Sequence, residues 1–319
     1  MTNIVLQTKG LTKRYGSLTA VNDLTLQVHE GEVFGFLGPN GAGKTTSINM
    51  MCGLLKPDAG RVLVRGTPIS EAGDKVRARV GVCPQEIVLW ERLTCLEQLE
   101  FIGQMYGLAG RKARRRGEQL LDELGLSAKR NKQARTLSGG MQRRLNLAMA
   151  LVHNPEIIVL DEPEAGLDPQ SRIKVREYIQ SLARQRDRTV ILTTHNMDEA
   201  DRVADRVAII DHGELLVLDT PESLKRSVGE GDVVEIHLDG PISATDGDRV
   251  QAALASLVNQ VLLNAGRSLL TVRALNAVGS LPAILAALEA IGLKAGEVRV
   301  RENTLEDVFI QLTGRRLRE

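Results

Sequence analysis

Much of what stabilises or anchors other proteins is scarce in this chain. Its 319 residues hold three cysteines, Cys52, Cys83 and Cys95, too scattered to form a Cys-x-x-Cys pair. Neither a disulfide framework nor a thiolate metal site is therefore indicated, and three small core residues in a reducing compartment are expected. No sign of charge dominates, since 41 basic residues face 40 acidic ones. That balance removes the broad positive field of a nucleic-acid binder or a protein held on anionic lipid, so no nucleic-acid partner is expected. Long hydrophobic runs are missing too. The longest, Leu281 to Leu293, carries Glu289 and falls short of the roughly 20 apolar residues that span a bilayer. The opening MTNIVLQTKG has no basic head before an apolar segment, so no secretory signal is expected. If this protein serves a membrane, another chain is expected to supply the span.

What is present reads as α/β over the first two thirds. The run EVFGFL (Glu32 to Leu37) has strand length and ends in a glycine-rich turn, and KTTSINMMCGLL behind it places Ile48, Met51 and Leu55 at helical spacing. IIVLDEP and TVILTTH are continuous apolar runs, as expected of central strands covered on both faces. Val207 to Asp219 predicts a hairpin turning at His212-Gly213. From Arg92 to His153 the pattern is mostly helical, an insert placed at about residues 86–155. RKARRR, Arg111 to Arg116, opens an amphipathic helix and is read as a solvated face without a function of its own. The polar, glycine-bearing KRSVGEGD (Lys225 to Asp232) predicts a linker. Beyond it DVVEIHL, SLLTVRAL and GEVRVRE read as strands, with helices near Asp248 to Leu257 and Leu281 to Ile291. Their order approximates β-α-β-β-α-β, a small ferredoxin-like α+β unit closed by a helix in TLEDVFIQLTG. Two domains are expected, residues 1–226 and 227–319.

The chemistry starts at GPNGAGKT, which matches G-x-x-x-x-G-K-[ST] and lies between a predicted strand and a predicted helix. The candidates are Gly38, Pro39, Asn40, Gly41, Ala42, Gly43, Lys44, Thr45 and Thr46. Glycines let successive backbone N–H groups turn toward one anion, Lys44 neutralises phosphate oxygens, and the Thr45 hydroxyl can reach Mg²⁺. The fold class is thus a P-loop nucleotide-binding α/β domain. IIVLDEP ends in Asp161, a carboxylate placed for the metal shell. Glu162 follows it and can polarise an attacking water as a general base.

Together with LSGG (Leu137 to Gly140), GLD (Gly166 to Asp168) and His195, these elements stand in the order of an ATP-binding cassette ATPase, the family this chain resembles. The resemblance implies that Tyr15 stacks on adenine, that Gln85 touches Mg²⁺ and senses a partner, and that His195 contacts the γ-phosphate. It also implies that Ser138, Gly139, Gly140 and Asp168 serve ATP held by a second copy, so two glycine elements share one nucleotide. A helix start suits that task physically. ATP and Mg²⁺ are the expected cofactors and a homodimer the expected assembly. Two departures stand out. Met141 replaces a frequent glutamine, and Glu164 replaces a frequent threonine or serine, its charge expected to weaken dimer closure.

Within the family, LSGGM, TTHNMDEAD and the ending ENTLEDVFIQLTGRRLR resemble the drug and antibiotic exporter branch, similar to daunorubicin-type ATPases. This implies a motor subunit on the cytoplasmic face of the cell membrane, paired with separate integral-membrane permease subunits. The stretch IVLWERLTCLEQLEF would receive a coupling helix, with Trp90 either lining that groove or packing locally. The C-terminal unit would steady the dimer or dock on the partner. An importer ATPase and a soluble cassette ATPase are the alternatives. The latter predicts a coiled-coil insert, a second cassette or a basic surface, none of which is visible.

Overall fold

Five residues, Val33–Leu37, form the centre of the first of two units, and all five are buried. The strand is enclosed because parallel neighbours flank both sides, Leu37 lying opposite Thr194 on one and Ile209 on the other. The computed structural model describes residues 3–70, 73–184, 188–229, 231–240, 244–263 and 268–314. In it a six-stranded sheet runs in the order Glu214–Asp219, Arg206–Asp211, Val33–Leu37, Thr189–Thr194, Ile157–Asp161, Val80–Cys83. All pairs are parallel except the hairpin at the edge. That hairpin turns at His212 (φ 47°) and Gly213 (φ 80°), the two positive φ values a two-residue type I′ loop requires.

Register is what positions the site. Asp161 lies opposite Thr193, and Leu37 lies opposite Thr194. The glycine loop, Asp161-Glu162 and His195 therefore leave three adjacent strands at the same edge, where ligands of parallel sheets bind.

A second sheet of the same unit is antiparallel and has no counterpart in the sequence expectation. Its order is Leu18–His29, Ile4–Tyr15, Ala59–Val64, Thr67–Pro68. The long first strand carries Lys9, Lys13 and Arg14, and register shifts interrupt its pairing near Thr8/Leu11 and Lys13/Arg14. Alternation of period two never runs far enough to announce it.

The helical insert contains Cys95–Met105, Gly110–Glu123 and Gly139–Leu151. No helix occupies residues 86–94; the first begins only where Thr94 and Glu97 form a reciprocal capping box. In RKARRR, Arg114 pairs with Glu100 and Glu118 and Arg116 with Glu123, while Ala113 turns inward.

The second unit begins at Glu222, one residue into the helix Pro221–Ser227. Its four strands lie in the order Gln260–Leu263, Leu269–Ala274, Asp232–Leu238, Ala295–Arg301, all neighbours antiparallel. Helices Ala244–Leu254 and Ala277–Ala290 contribute Val250, Leu254, Ile284 and Leu288 to one core with Val234, Ile236, Leu270 and Val272. The helix expected from Leu281 starts earlier, at Ala277, because the Asn276 side chain accepts from Gly279 N–H at 3.1 Å and caps it. The short strand Gln260–Leu263 was not singled out by its sequence. No helix of the described residues is long and apolar enough to cross a membrane.

Candidate active site

The loop after Val33–Leu37 is held so tightly that two glycines are obligatory. A Cβ on Gly38 would lie 2.4 Å from the Ile210 carbonyl oxygen, and one on Gly43 2.4 Å from that of Ala20. Gly43 also sits at φ 99°, which L side chains rarely adopt. The Gly213 N–H donates to Ala42 O at 3.0 Å, tying the loop to the tip of the edge hairpin. Helix Lys44–Met51 starts directly behind, with no side chain capping its first-turn N–H groups. Those donors and the helix dipole suit an anion. Thr45, Asn40 and Gly41 are exposed, Pro39, Gly43 and Thr46 half-buried, and Gly38 and Ala42 buried.

Lys44 is 5% exposed and donates to Gly38 O at 2.8 Å and Pro39 O at 3.1 Å. Burial lowers its pKa, and the Glu162 carboxylate works against that shift. Glu162 Oε1 lies 3.4 Å from Lys44 Nζ and 3.2 Å from His195 Nδ1, while Gln85 Nε2 donates to Glu162 Oε2 at 3.3 Å. One carboxylate thus gathers three of the residues expected from sequence. Its backbone adopts φ 44°, and its N–H donates to Thr193 Oγ1 at 2.9 Å. Asp161, also buried, accepts a hydrogen bond from the Thr193 hydroxyl. A single threonine therefore fixes both acids.

Ser138, Gly139, Gly140 and Asp168 form a different group. Ser138 Oγ accepts from Met141 N–H at 3.4 Å and opens helix Gly139–Leu151. A Cβ on Gly140 would fall 2.0 Å from Ser171 Oγ, so that helix start packs directly on the segment capped by Asp168, which accepts from Ser171 N–H at 3.1 Å. Among the described residues no hydrogen bond or ion pair joins this group to Lys44 or Thr45. Tyr15 is exposed at the end of its strand, with Lys13 Nζ 5.7 Å from the ring centroid.

The sequence reading missed Arg143. It is 2% exposed, and every guanidinium nitrogen donates to backbone carbonyls: Nε to Pro163, one terminal nitrogen to Pro84 and Gln85, the other to Asp161 and Glu162. In sequence, two adjacent arginines on a helix resemble a solvated face. The available signal was the apolar company that follows, LNLAMALV.

Glu164 corrects an expectation. Its carboxylate is buried and bidentate to Arg176, at 3.0 and 2.7 Å, so its charge is neutralised locally. It also raises the pKa of Glu199, the glutamate of TTHNMDEAD, which burial pushes up first and which reaches about 7.

Comparison with known proteins decides the family. The ABC transporter profile matches residues 21–165. The linearmycin resistance ATP-binding protein of Bacillus subtilis is 36% identical over 99% of this chain and all of its own length. The daunorubicin resistance ATP-binding protein DrrA3 of Streptomyces coeruleorubidus is 38% identical over the whole of this chain and 99% of its own. The chain belongs to the ABC transporter ATPase family. Among solved structures, a dimeric cassette in a post-hydrolysis state with ADP and phosphate shares the cassette fold, with TM-score 0.62 and 28% identity over 67% of this chain and 98% of that one. An ATP-binding subunit of an ABC transporter gives TM-score 0.64 at 28% identity over 70% of this chain and 92% of that one. The cassette is therefore a nucleotide-binding ATPase of α/β fold, from a family whose members dimerise and work with membrane permeases.

Three outcomes follow for this cassette. Arg143→Met leaves five carbonyls without their donors and should cost about 3–5 kcal/mol in urea unfolding, with loss of ATPase activity. Arg143→Lys should rescue it poorly, having no planar fork. Glu164→Thr strands Arg176 and should lower stability by about 1–3 kcal/mol without tightening the ATP-dependent dimer in light scattering. Glu199 keeps its proton to higher pH in the folded chain than in the unfolded one, so the stability it contributes is full below about 4.5 and declines as pH rises toward 7. Melting temperatures across pH 5 to 8 should show wild type losing ground against Glu199→Gln over that window.

Proposed function

We propose that this cassette is the ATP-hydrolysing motor of an exporter, driving efflux of a drug or other small amphipathic compound through separate permease subunits at the cytoplasmic face of the membrane. The observation that carries the chemistry is the convergence of Lys44, Gln85 and His195 on the Glu162 carboxylate. Export is supported by the relatives, which are named for antibiotic resistance and, at 38% identity over 99% of this chain, for Nod factor export in Cupriavidus pinatubonensis.

In this reading the loop amides from Gly38 to Thr46, with Lys44, hold the phosphates, and Tyr15 supports the adenine. Phosphate oxygens compete for Lys44 with the loop carbonyls and with Glu162. The carboxylate is then free to take a proton from the attacking water, while His195 and Gln85 orient the water and the terminal phosphate. Thr45, Asp161 and Gln85 offer a hydroxyl, one carboxylate and an amide, a sparse oxygen set that suits Mg²⁺, which keeps several waters and shares phosphate oxygens. Bound there, Mg²⁺ would neutralise charge on the phosphates. Ser138, Gly139, Gly140 and Asp168 stand apart from Lys44 because they complete the site of a second, identical copy, so binding closes the dimer and hydrolysis opens it.

Ile87, Val88, Trp90 and Phe101 are all exposed beside the glutamine loop, with Trp90 edge-on to Phe101 at 5.2 Å. Such an apolar surface supports docking of a permease helix. Residues 1–226 act as the ATPase and 227–319 as an accessory domain, and no nucleic acid takes part. Glu162→Gln should reduce ATP hydrolysis by about 10²–10⁴-fold and still co-purify with a polytopic membrane protein from detergent-solubilised native membranes. Recovery without any membrane partner would defeat the transport reading and leave the ATPase intact.

A further inference from the structure

Between helices Gly110–Glu123, Gly139–Leu151 and Pro169–Arg184 lies a cavity of about 400 Å³, a size that suits a small molecule. None of the residues proposed for ATP lines it. One wall is a single stripe of Pro169–Arg184, where Lys174, Glu177, Tyr178 and Ser181 recur at i, i+3, i+4 and i+7 and so share a helix face. Leu124 and Tyr178, both buried, give the cavity an apolar side.

Arg144 lines the same cavity and is 5% exposed. Its Nε donates to Gly140 O at 3.3 Å, and one terminal nitrogen donates to Leu124 O at 2.6 Å and Gly125 O at 3.4 Å. The other terminal nitrogen, Nη2, has no acceptor among the described residues and is not sealed from solvent. Burial works against the charge of this guanidinium, so an anion placed at Nη2 would offset a cost the fold already bears.

The other charges around the cavity divide into engaged and unengaged groups. Glu123 accepts from the Tyr178 hydroxyl at 2.9 Å, and Asp122 from the Ser127 hydroxyl at 2.9 Å. Lys174 and Glu177 are exposed, and neither makes a hydrogen bond or ion pair among the described residues. An anion alone would meet Arg144 and Lys174 but also the carboxylates of Asp122, Glu123 and Glu177. A cation alone would meet those acids but also Arg144, which cannot give up its charge. A molecule carrying both charges satisfies both sets. We infer that this cavity binds a small zwitterion of the amino-acid class, its carboxylate on Arg144 and Lys174, its ammonium on Glu177, and its apolar side chain against Leu124 and Tyr178. Lys174 and Glu177 are separated by about 4.5 Å of helix rise, so both side chains can reach the two ends of one such molecule.

The test uses the full chain and saturation-transfer NMR with matched probes: L-leucine, 4-methylpentanoate, which lacks the ammonium, and 3-methylbutylamine, which lacks the carboxylate. L-leucine should bind about tenfold more tightly than either, and saturating ADP should not displace it. Glu177→Lys changes an exposed side chain outside the ATP site; it should weaken L-leucine about tenfold and leave 4-methylpentanoate the better ligand. Lys174→Glu should weaken L-leucine about threefold or more. Equal binding of the probes, no binding of L-leucine, its displacement by ADP, or a Glu177→Lys chain that keeps the wild-type preference would overturn the inference.

Discussion

A single buried guanidinium organises the catalytic half of this protein. Arg143 carries a charge that costs several kcal/mol to remove from water, and among the described residues it makes no ion pair. Five backbone carbonyls replace the lost hydration. They belong to Pro84 and Gln85 on one loop and to Asp161, Glu162 and Pro163 on another, while the arginine itself rides on the helix that Ser138 opens. The helix that begins at LSGG therefore also carries the side chain that holds the backbone at Glu162, the proposed general base, and at Gln85.

How much of this was legible follows from what is local. The phosphate loop, the strand before it and Asp161-Glu162 could be read because glycines, lysine and acids sit at fixed short spacings between continuous apolar runs. The hairpin at His212-Gly213 was legible for the same reason: two residues decide it. Elements decided by distant partners were not. The strand Ile4–Tyr15 pairs on its far side with the distant Ala59–Val64, beside the adjoining Leu18–His29, and its own pattern is broken by bulges. Arg143 was missed because its acceptors come from residues far along the chain, and Glu164 looked repulsive because Arg176, twelve residues later, was not part of its motif.

Glu164 and Glu199 also show how a family departure is absorbed. A carboxylate behind the proposed general base would burden a phosphate site, yet here it turns inward to Arg176 and leaves a second acid, Glu199, protonated to higher pH than usual. Glu199 in turn accepts from Thr194 Oγ1 at 2.9 Å, directly before His195. The substitution is compensated within one layer of side chains and leaves Lys44, Gln85 and His195 grouped around Glu162.

Glu162 stands on a backbone at φ 44°, a conformation that glycine or asparagine adopts more easily. The residue proposed as the general base therefore occupies a place where its own side chain is conformationally unwelcome. Removing the side chain would not simply relieve that strain, because Lys44, buried 3.4 Å away, would lose its ion-pair partner. The buried ammonium therefore holds the acid in a conformation that its own backbone disfavours, and the two are kept or lost together.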